Sequence, residues 1–481
     1  MNSVDVAARS RAWWGLAVVL GPVLLVSMDG SVLFLAMPRV TEALTPTAGQ
    51  ALWILDVYGF AVGSLLVVFG SVGDRYGRLR LLRVGAGVFG VASVGAAFST
   101  GPELLIFFRA LMGVAGAGLL PSALAVLSEL FPDARERSRA IGIFAATFAA
   151  GFAVGPMVGA WLLSAFWWGS VFLVNLPVVV AFLVSAPFTL REVRDGGGRG
   201  GRLDGPSVVA SAGGILASVH AVKRLAAEGP DPRAAVVGVL GLLALVWFVR
   251  RQLRLDDPLI DVRLFRDRVF AVAAVTGFLP LAAWSASAYL GGMYLQSVLG
   301  LTVLEAAAVA LPGAAVLTVT CVLTPALVVR TGTRAALVGC HFLVAGGVLA
   351  LGFTGVAGGV GWYVASTVVA GVGYGICFSV VADTAVAAVP AERAGSAAAI
   401  AETGNEVGNA LGVALLGSLA ALVFRLEGGG ELAGLGAESG DGVKAAFVAG
   451  FHAAVIVAGA LHVVLGVCAL RLLPKVRTGR A

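Results

Sequence analysis

The chain reads as an all-α polytopic membrane protein with fourteen membrane-spanning helices, and three observations predict this. Of its 481 residues, 59% are hydrophobic and only 12% are charged, a balance that a water-soluble domain of this size does not sustain. Mean hydropathy is +0.96. Apolar runs of about 20 residues, long enough to cross a hydrocarbon core of about 30 Å as helices, recur along the whole chain.

The runs lie near 13–37, 50–70, 81–99, 104–128, 138–163 and 169–189, then near 206–222, 233–249, 269–295, 303–329, 335–355, 360–388, 396–424 and 446–472. The first, from Trp13 to Met37, exceeds the apolar region of about 7–15 residues in a secretory signal peptide and leads directly into another span. The seventh, from Pro206 to Val222, is the shortest and carries His220 near its end, so charge has to decide whether it counts. With both termini cytoplasmic, about 26 of the 33 basic residues fall on the inner side, as the positive-inside rule requires. Arg75, Arg78, Arg80 and Arg83 share one inner loop, and Arg250, Arg251, Arg254, Arg263, Arg266 and Arg268 share another. Omitting the seventh helix would throw the second cluster outside, so the total is even.

Arg191 to Asp204, with five glycines, reads as a flexible cytoplasmic connector that ends a six-helix block. The outer segment Arg425 to Lys444 is Gly-rich and acidic: a solvated linker, or a guide for cations toward an outer mouth. Cys321, Cys340, Cys377 and Cys468 all fall in apolar runs, which predicts free thiols rather than disulfides. The formal charge of +6 sits in short loops, so topology explains it and no nucleic-acid partner is implied. His220, His341, His452 and His462 are scattered without ligand spacing. No phosphate-cradling loop precedes a lysine, no nucleophile has a paired base and no Cys/His cluster occurs. The expectation is therefore no enzyme, no ATP hydrolysis, no metal and no cofactor.

Charges inside the spans carry the functional signal. Asp29 stands in the outer half of the first span, where burying a charge costs at least about 2.5–3.5 kcal/mol, so such an acid is a site hypothesis by default. It lies about 12 Å inward from Pro38, and Asp56 about 8 Å inward from Ala51. Arg109, less than two turns below the outer end of the fourth span, lies near the same level. Each has a plainer reading: the acids as packing pairs, Arg109 as a snorkelling side chain. A later acidic group, Asp383, Glu402 and Glu406, falls in the cytoplasmic half, with Glu402 and Glu406 four apart on one helix face. Phe34, Trp53 and Tyr58 offer rings for cation–π contact with a substrate, or serve as interfacial anchors.

Several motifs sharpen this. Gly70-Ser71-Val72-Gly73-Asp74-Arg75-Tyr76-Gly77-Arg78, between the second and third spans, resembles the G-x-L-A-D-R-x-G-R-K loop of the major facilitator superfamily, with Gly73 in place of Ala and Leu79 in place of a basic residue. Its glycines permit a tight turn and its charges can pair, so Gly70, Asp74, Arg75, Gly77 and Arg78 read as a gate rather than a ligand site. In the fifth span, Gly151, Gly155 and Gly159 recur every four residues on one face that admits a close neighbour, and Pro156 interrupts the backbone bonding. This segment is similar to the G-x-x-x-G-P-x-x-G motif of antiporters in the same superfamily. Arg109 to Gly118 is similar to its R-x-x-x-G-x-x-x-G pattern. Met28-Asp29-Gly30-Ser31-Val32-Leu33-Phe34-Leu35-Ala36-Met37-Pro38 and Trp53-Ile54-Leu55-Asp56-Val57-Tyr58 resemble stretches of the fourteen-span drug:proton antiporters, closest to the exporters of quaternary ammonium compounds and cationic dyes. So do Trp168 to Pro177, Pro258 to Arg266, Pro390 to Ser396 and Ala401 to Gly412.

The resemblance implies two six-helix bundles, residues 1–190 and 269–481, with the connector and two additional helices between them at 191–268. Arg330-Thr331-Gly332-Thr333-Arg334 sits where a degenerate second copy of the gating loop would fall. The implied function is proton-coupled export of lipophilic, cationic small molecules across the bacterial cytoplasmic membrane by a monomer, with Asp29, Asp56, Arg109, Glu402, Asp383 and Glu406 handling protons or drug. A dedicated exporter of one secondary metabolite, a lipid flippase and a non-transporting membrane sensor are the alternatives.

Overall fold

The computed structural model describes residues 3–190, 204–228, 231–256, 258–266, 268–387, 394–430, 435–436 and 438–472. The predicted connector therefore lies outside the described residues except for Asp204, as does part of the Gly-rich outer segment. The described residues are helical and gather into two compact units. One comprises 1–217, 240–263 and 385–403, the other 218–239, 264–384 and 404–481.

The first unit begins with α1 (Ser3–Leu44), α2 (Ala48–Tyr76), α3 (Arg78–Ala97), α4 (Pro102–Leu130) and α5 (Ala134–Ala165). The predicted sixth span is divided into α6 (Ser170–Leu173) and α7 (Asn175–Thr189), with Val174 between. Proline explains the break, because Pro177 has no N–H to give to the Leu173 carbonyl one turn earlier. α2 and α3 both pack on α4, and α1 packs on α5, α7 and α4. Several helices outrun their apolar cores. The 42 residues of α1 span about 63 Å, twice the hydrocarbon thickness, so the helix extends beyond it.

α8 (Gly205–Glu228) and α9 (Pro232–Gln252) are the two additional helices, and the doubtful seventh span is a full helix. A latch ties their near ends. Arg251 reaches Asp204 through Nε at 2.6 Å and Nη2 at 2.8 Å, and Ser207 also donates to Asp204. These bonds hold the Asp204 carboxyl below the usual carboxylate range, the Arg251 bond contributing most. Gln252 donates to Ser207 Oγ at 2.8 Å and accepts from the Leu259 amide at 2.7 Å. That amide contact fixes the 258–266 stretch, whose Leu259 and Ile260 are buried with Val67, Ala210 and Phe248.

The second unit carries α10 (Arg268–Met293), α11 (Val303–Thr331), α12 (Thr333–Ala350), α13 (Val360–Ala387), most of α14 (Ala394–Leu426) and α15 (Asp441–Leu472). It repeats the first in detail. α2 and α11 are both 29 residues long, each opens on a threonine capping box (Thr47 with Gln50, Thr302 with Glu305), and each ends on one linking glycine. Gly77 and Gly332 have φ of 103° and 83°, a region only glycine enters freely, and each returns its N–H to the helix it closes. Thirteen helices among the described residues are long and apolar enough to cross a membrane. α10, 26 residues with its single charge at Arg268, is the fourteenth predicted span.

Candidate functional site

Three helices of the first unit converge on Arg109. Its guanidinium, 1% exposed, donates from Nη1 to Asp29 Oδ2, and Asp29 is 6% exposed. Nε donates to the Ile54 carbonyl at 3.3 Å, and the guanidinium carbon lies 4.7 Å from the centre of the Tyr58 ring. Tyr58, itself buried, reaches the Val26 carbonyl at 3.5 Å and meets Phe89 edge-on. One cation on α4 thus holds a carboxylate on α1 and a carbonyl and an aromatic face on α2. An ionic pair this deep survives because each charge neutralises the other, with the Ile54 carbonyl and the Tyr58 ring face adding to the stabilisation of the guanidinium.

Small residues make the convergence sterically feasible. A Cβ on Gly113 would stand 2.6 Å from the Tyr58 carbonyl, and one on Gly116 would stand 3.2 Å from the Tyr58 hydroxyl, so α2 and α4 touch nearly backbone to backbone. The predicted stripe on α5 faces the Asp29 segment of α1. Cβ atoms on Gly151 and Gly155 would collide with the Ser27 and Ser31 hydroxyls, and one on Gly159 would press on Val32 at 3.3 Å. Phe152 lies over Gly30, beside the acid. Pro156 sits within α5, where it has no N–H to offer the helical ladder.

The Gly70–Arg78 segment, expected to act as a gate, makes a one-residue turn. Gly70 and Asp74 lie in the last two turns of α2 with Arg75 at its end, Gly77 is the joint, and Arg78 opens α3. Arg78 pairs with Asp74 at 3.0 Å and with Glu129, near the end of α4, at 2.5 Å. Glu129 was not legible in the sequence, because an acid in the last turn of a helix looks like an ordinary solvated charge.

The remaining candidates divide. Trp53 is 44% exposed and edge-on to Phe60. Phe34 and Asp56 lie in α1 and α2, but their side chains are outside the described residues. Glu402 is buried on α14, Glu406 is half-buried one turn later, and Asp383 is half-buried in the last turns of α13. A second glycine stripe accompanies them: Cβ atoms on Gly408 and Gly412 would stand 2.2 and 2.1 Å from the Phe278 and Ala282 carbonyls of α10. Two of the scattered histidines meet. His341 and His462 are buried with their Nδ1 atoms 3.3 Å apart.

Apolar spanning helices packed around a buried ion pair define a polytopic membrane protein. The sequence model of the Major Facilitator Superfamily matches residues 20–413. The multidrug efflux pump LfrA of Mycolicibacterium smegmatis is 39% identical over 421 residues, 86% of this chain and 82% of the relative. The puromycin resistance protein pur8 of Streptomyces alboniger is 32% identical over 415 residues, 85% of this chain and 82% of the relative. Among solved structures, the human organic anion transporter MFSD10 aligns with a TM-score of 0.65 at 14% identity, over 96% of this chain and 99% of that one, a likeness of fold. The chain belongs to the major facilitator superfamily and is a multi-pass membrane protein with that fold.

Proposed function

We propose that this protein is a proton-coupled antiporter that exports lipophilic, cationic compounds across the bacterial cytoplasmic membrane. The observation that carries the reading is Asp29, a carboxylate 6% exposed within a spanning helix and tied to Arg109. Identity of 39% to a multidrug efflux pump supports the same direction. A proton on Asp29 cancels one partner of the pair and releases α1 from α4, while Ile54 and Tyr58 keep Arg109 attached to α2. An organic cation competes with Arg109 for the ionised carboxylate in the same way. Proton and drug therefore exclude one another at one group, and that exclusion couples their movements.

Exchange of one proton for one monovalent cation is electroneutral and draws about 1.4 kcal/mol from each pH unit. Participation of Asp56, Glu402, Asp383 or Glu406 as a second titrating acid adds about 2.3 kcal/mol per 100 mV. In this reading the protein is a monomer built of bundles at 1–190 and 269–481, with both termini facing the cytoplasm. The Gly70–Arg78 loop gates its inner side, and the Gly151–Gly159 face is the sliding contact. Phe34 and Trp53 remain candidate drug contacts, while Tyr58 serves Arg109.

The test is export of a monovalent cationic dye from proteoliposomes under an imposed pH gradient. Wild type exports and Asp29→Asn does not. Export by Asp29→Asn at the wild-type rate moves the coupling site elsewhere. Export of one secondary metabolite is the second reading, favoured by the 32% identity to a puromycin resistance protein. A carrier of a neutral or anionic product binds no cationic dye, and a flippase or sensor moves no protons on addition of substrate.

A further inference from the structure

We infer that Asn409 selects, among cationic substrates, those with a hydrogen-bond acceptor close to the positive charge. This rests on the export reading above and names a substrate class for it. On α14, Glu406 and Asn409 are three residues apart, which brings their Cβ atoms within about 5–6 Å on one face. Helical steps continue that row through Leu416, Ala420 and Phe424, which are 8%, 1% and 0% exposed, whereas Leu415 and Leu422 on the far side are 55% and 47% exposed. The row therefore turns into the protein and not toward lipid, and an unshielded glutamate facing lipid would be costly in any case. Yet Glu406 and Asn409 are only half-buried. Inward-turned polar groups that keep exposed surface stay within reach of a ligand.

Asn409 is held in one orientation. Its Oδ1 accepts from the hydroxyl of Ser285, a residue 6% exposed on α10. α14 lies close enough for this because Gly408 and Gly412 bring its backbone against the Phe278 and Ala282 carbonyls. With the oxygen engaged, the amide presents its two Nδ2 donors, which have no partner among the described residues, beside the Glu406 carboxylate. A carboxylate and an amide donor at this spacing match an ammonium group with a carbonyl or ether oxygen a few bonds away.

The experiment compares benzoylcholine with phenylbutyltrimethylammonium, which has the same chain length and no oxygen, by equilibrium binding to the full-length protein in nanodiscs. Wild type binds the ester about fivefold more tightly, the increment of one net hydrogen bond. Asn409→Leu weakens the ester until the two affinities meet. Ser285→Ala, which keeps the amide but frees it to turn, reduces the preference. Retention of the full preference by Asn409→Leu, or equal weakening of both ligands, overturns the inference, as does a wild-type preference for the oxygen-free cation. If wild type neither binds nor exports either cation under a pH gradient, it is the cation-export reading itself that falls.

Discussion

Separating the structural from the energetic role of the Asp29–Arg109 pair requires three variants: Asp29→Asn, Arg109→Gln and the two combined. Each single change leaves a charge, 6% exposed at Asp29 or 1% exposed at Arg109, facing a neutral amide. Breaking a buried pair on one side costs about 3–5 kcal/mol. Asp29→Asn should fall at the lower end, about 3 kcal/mol, because the Ile54 carbonyl and the Tyr58 face still stabilise the guanidinium. Arg109→Gln strands a carboxylate for which no second partner is seen among the described residues, so it should reach the upper end. The double variant replaces the ion pair with two amides able to bond each other, and stability should return to within about 1–2 kcal/mol of wild type. Denaturant titration in mixed micelles, followed by tryptophan fluorescence, measures the three losses. Dye export under a pH gradient should be absent in all three. Strictly additive losses would refute the buried pair, and a double variant that is stable and exports normally would refute its role in coupling.

Gly113→Ala should destabilise by about 1–3 kcal/mol and slow export, since its Cβ meets the Tyr58 carbonyl at 2.6 Å and cannot be relieved by rotating a side chain; thermal melting reads the first effect. Gly151→Ala should be milder in a Ser27→Ala background than alone, because the Ser27 hydroxyl is the nearest obstacle, and melting temperatures of the single and double variants compare the two. Gly77→Ala should cost about 1–3 kcal/mol through the backbone at φ 103° alone, and Glu129→Gln, which leaves that backbone intact, should instead alter inner-side accessibility to a thiol reagent at an introduced cysteine. The Asp204–Arg251 latch should ignore physiological pH. The folded carboxyl titrates below its unfolded value, so its stabilising contribution is complete above the ordinary carboxylate range and is lost only as pH falls through the depressed value. Hydrogen exchange at the Leu259 amide, corrected for the intrinsic rate, should be flat from about pH 5 to 8.

What the sequence discloses is what departs from its own background. Asp29 and Arg109 stand out because charges are rare in apolar runs, and Gly151, Gly155 and Gly159 because their four-residue step repeats. Tyr58 stood out as a ring for a cation, but its partner did not. An aromatic ring in an apolar helix looks the same whether it faces a drug, lipid or a guanidinium, and only the fold joins it to a residue fifty-one positions away. Gln252 was invisible for a related reason: its side-chain oxygen accepts from the Leu259 and Ile260 main-chain amides, groups that every residue but proline possesses. The His341–His462 meeting crosses 121 positions and leaves no local spacing to detect. The broken sixth span was readable in principle from Pro177, but span length dominates a hydropathy reading and hides a one-residue interruption.

Gly77 is a joint of a single residue, and a joint that short has no slack. α2, which carries Ile54 and Tyr58, and α3, which begins with the paired Arg78, cannot drift independently as helices on a long tether can. If Arg109 releases its acid as proposed, a tilt that starts there must arrive at the far end of α2 as a torque on one peptide hinge. It either swings α3 with it or strains the Asp74 and Glu129 clasp. On that proposal α2 is a lever whose stiffness is written in the absence of loop.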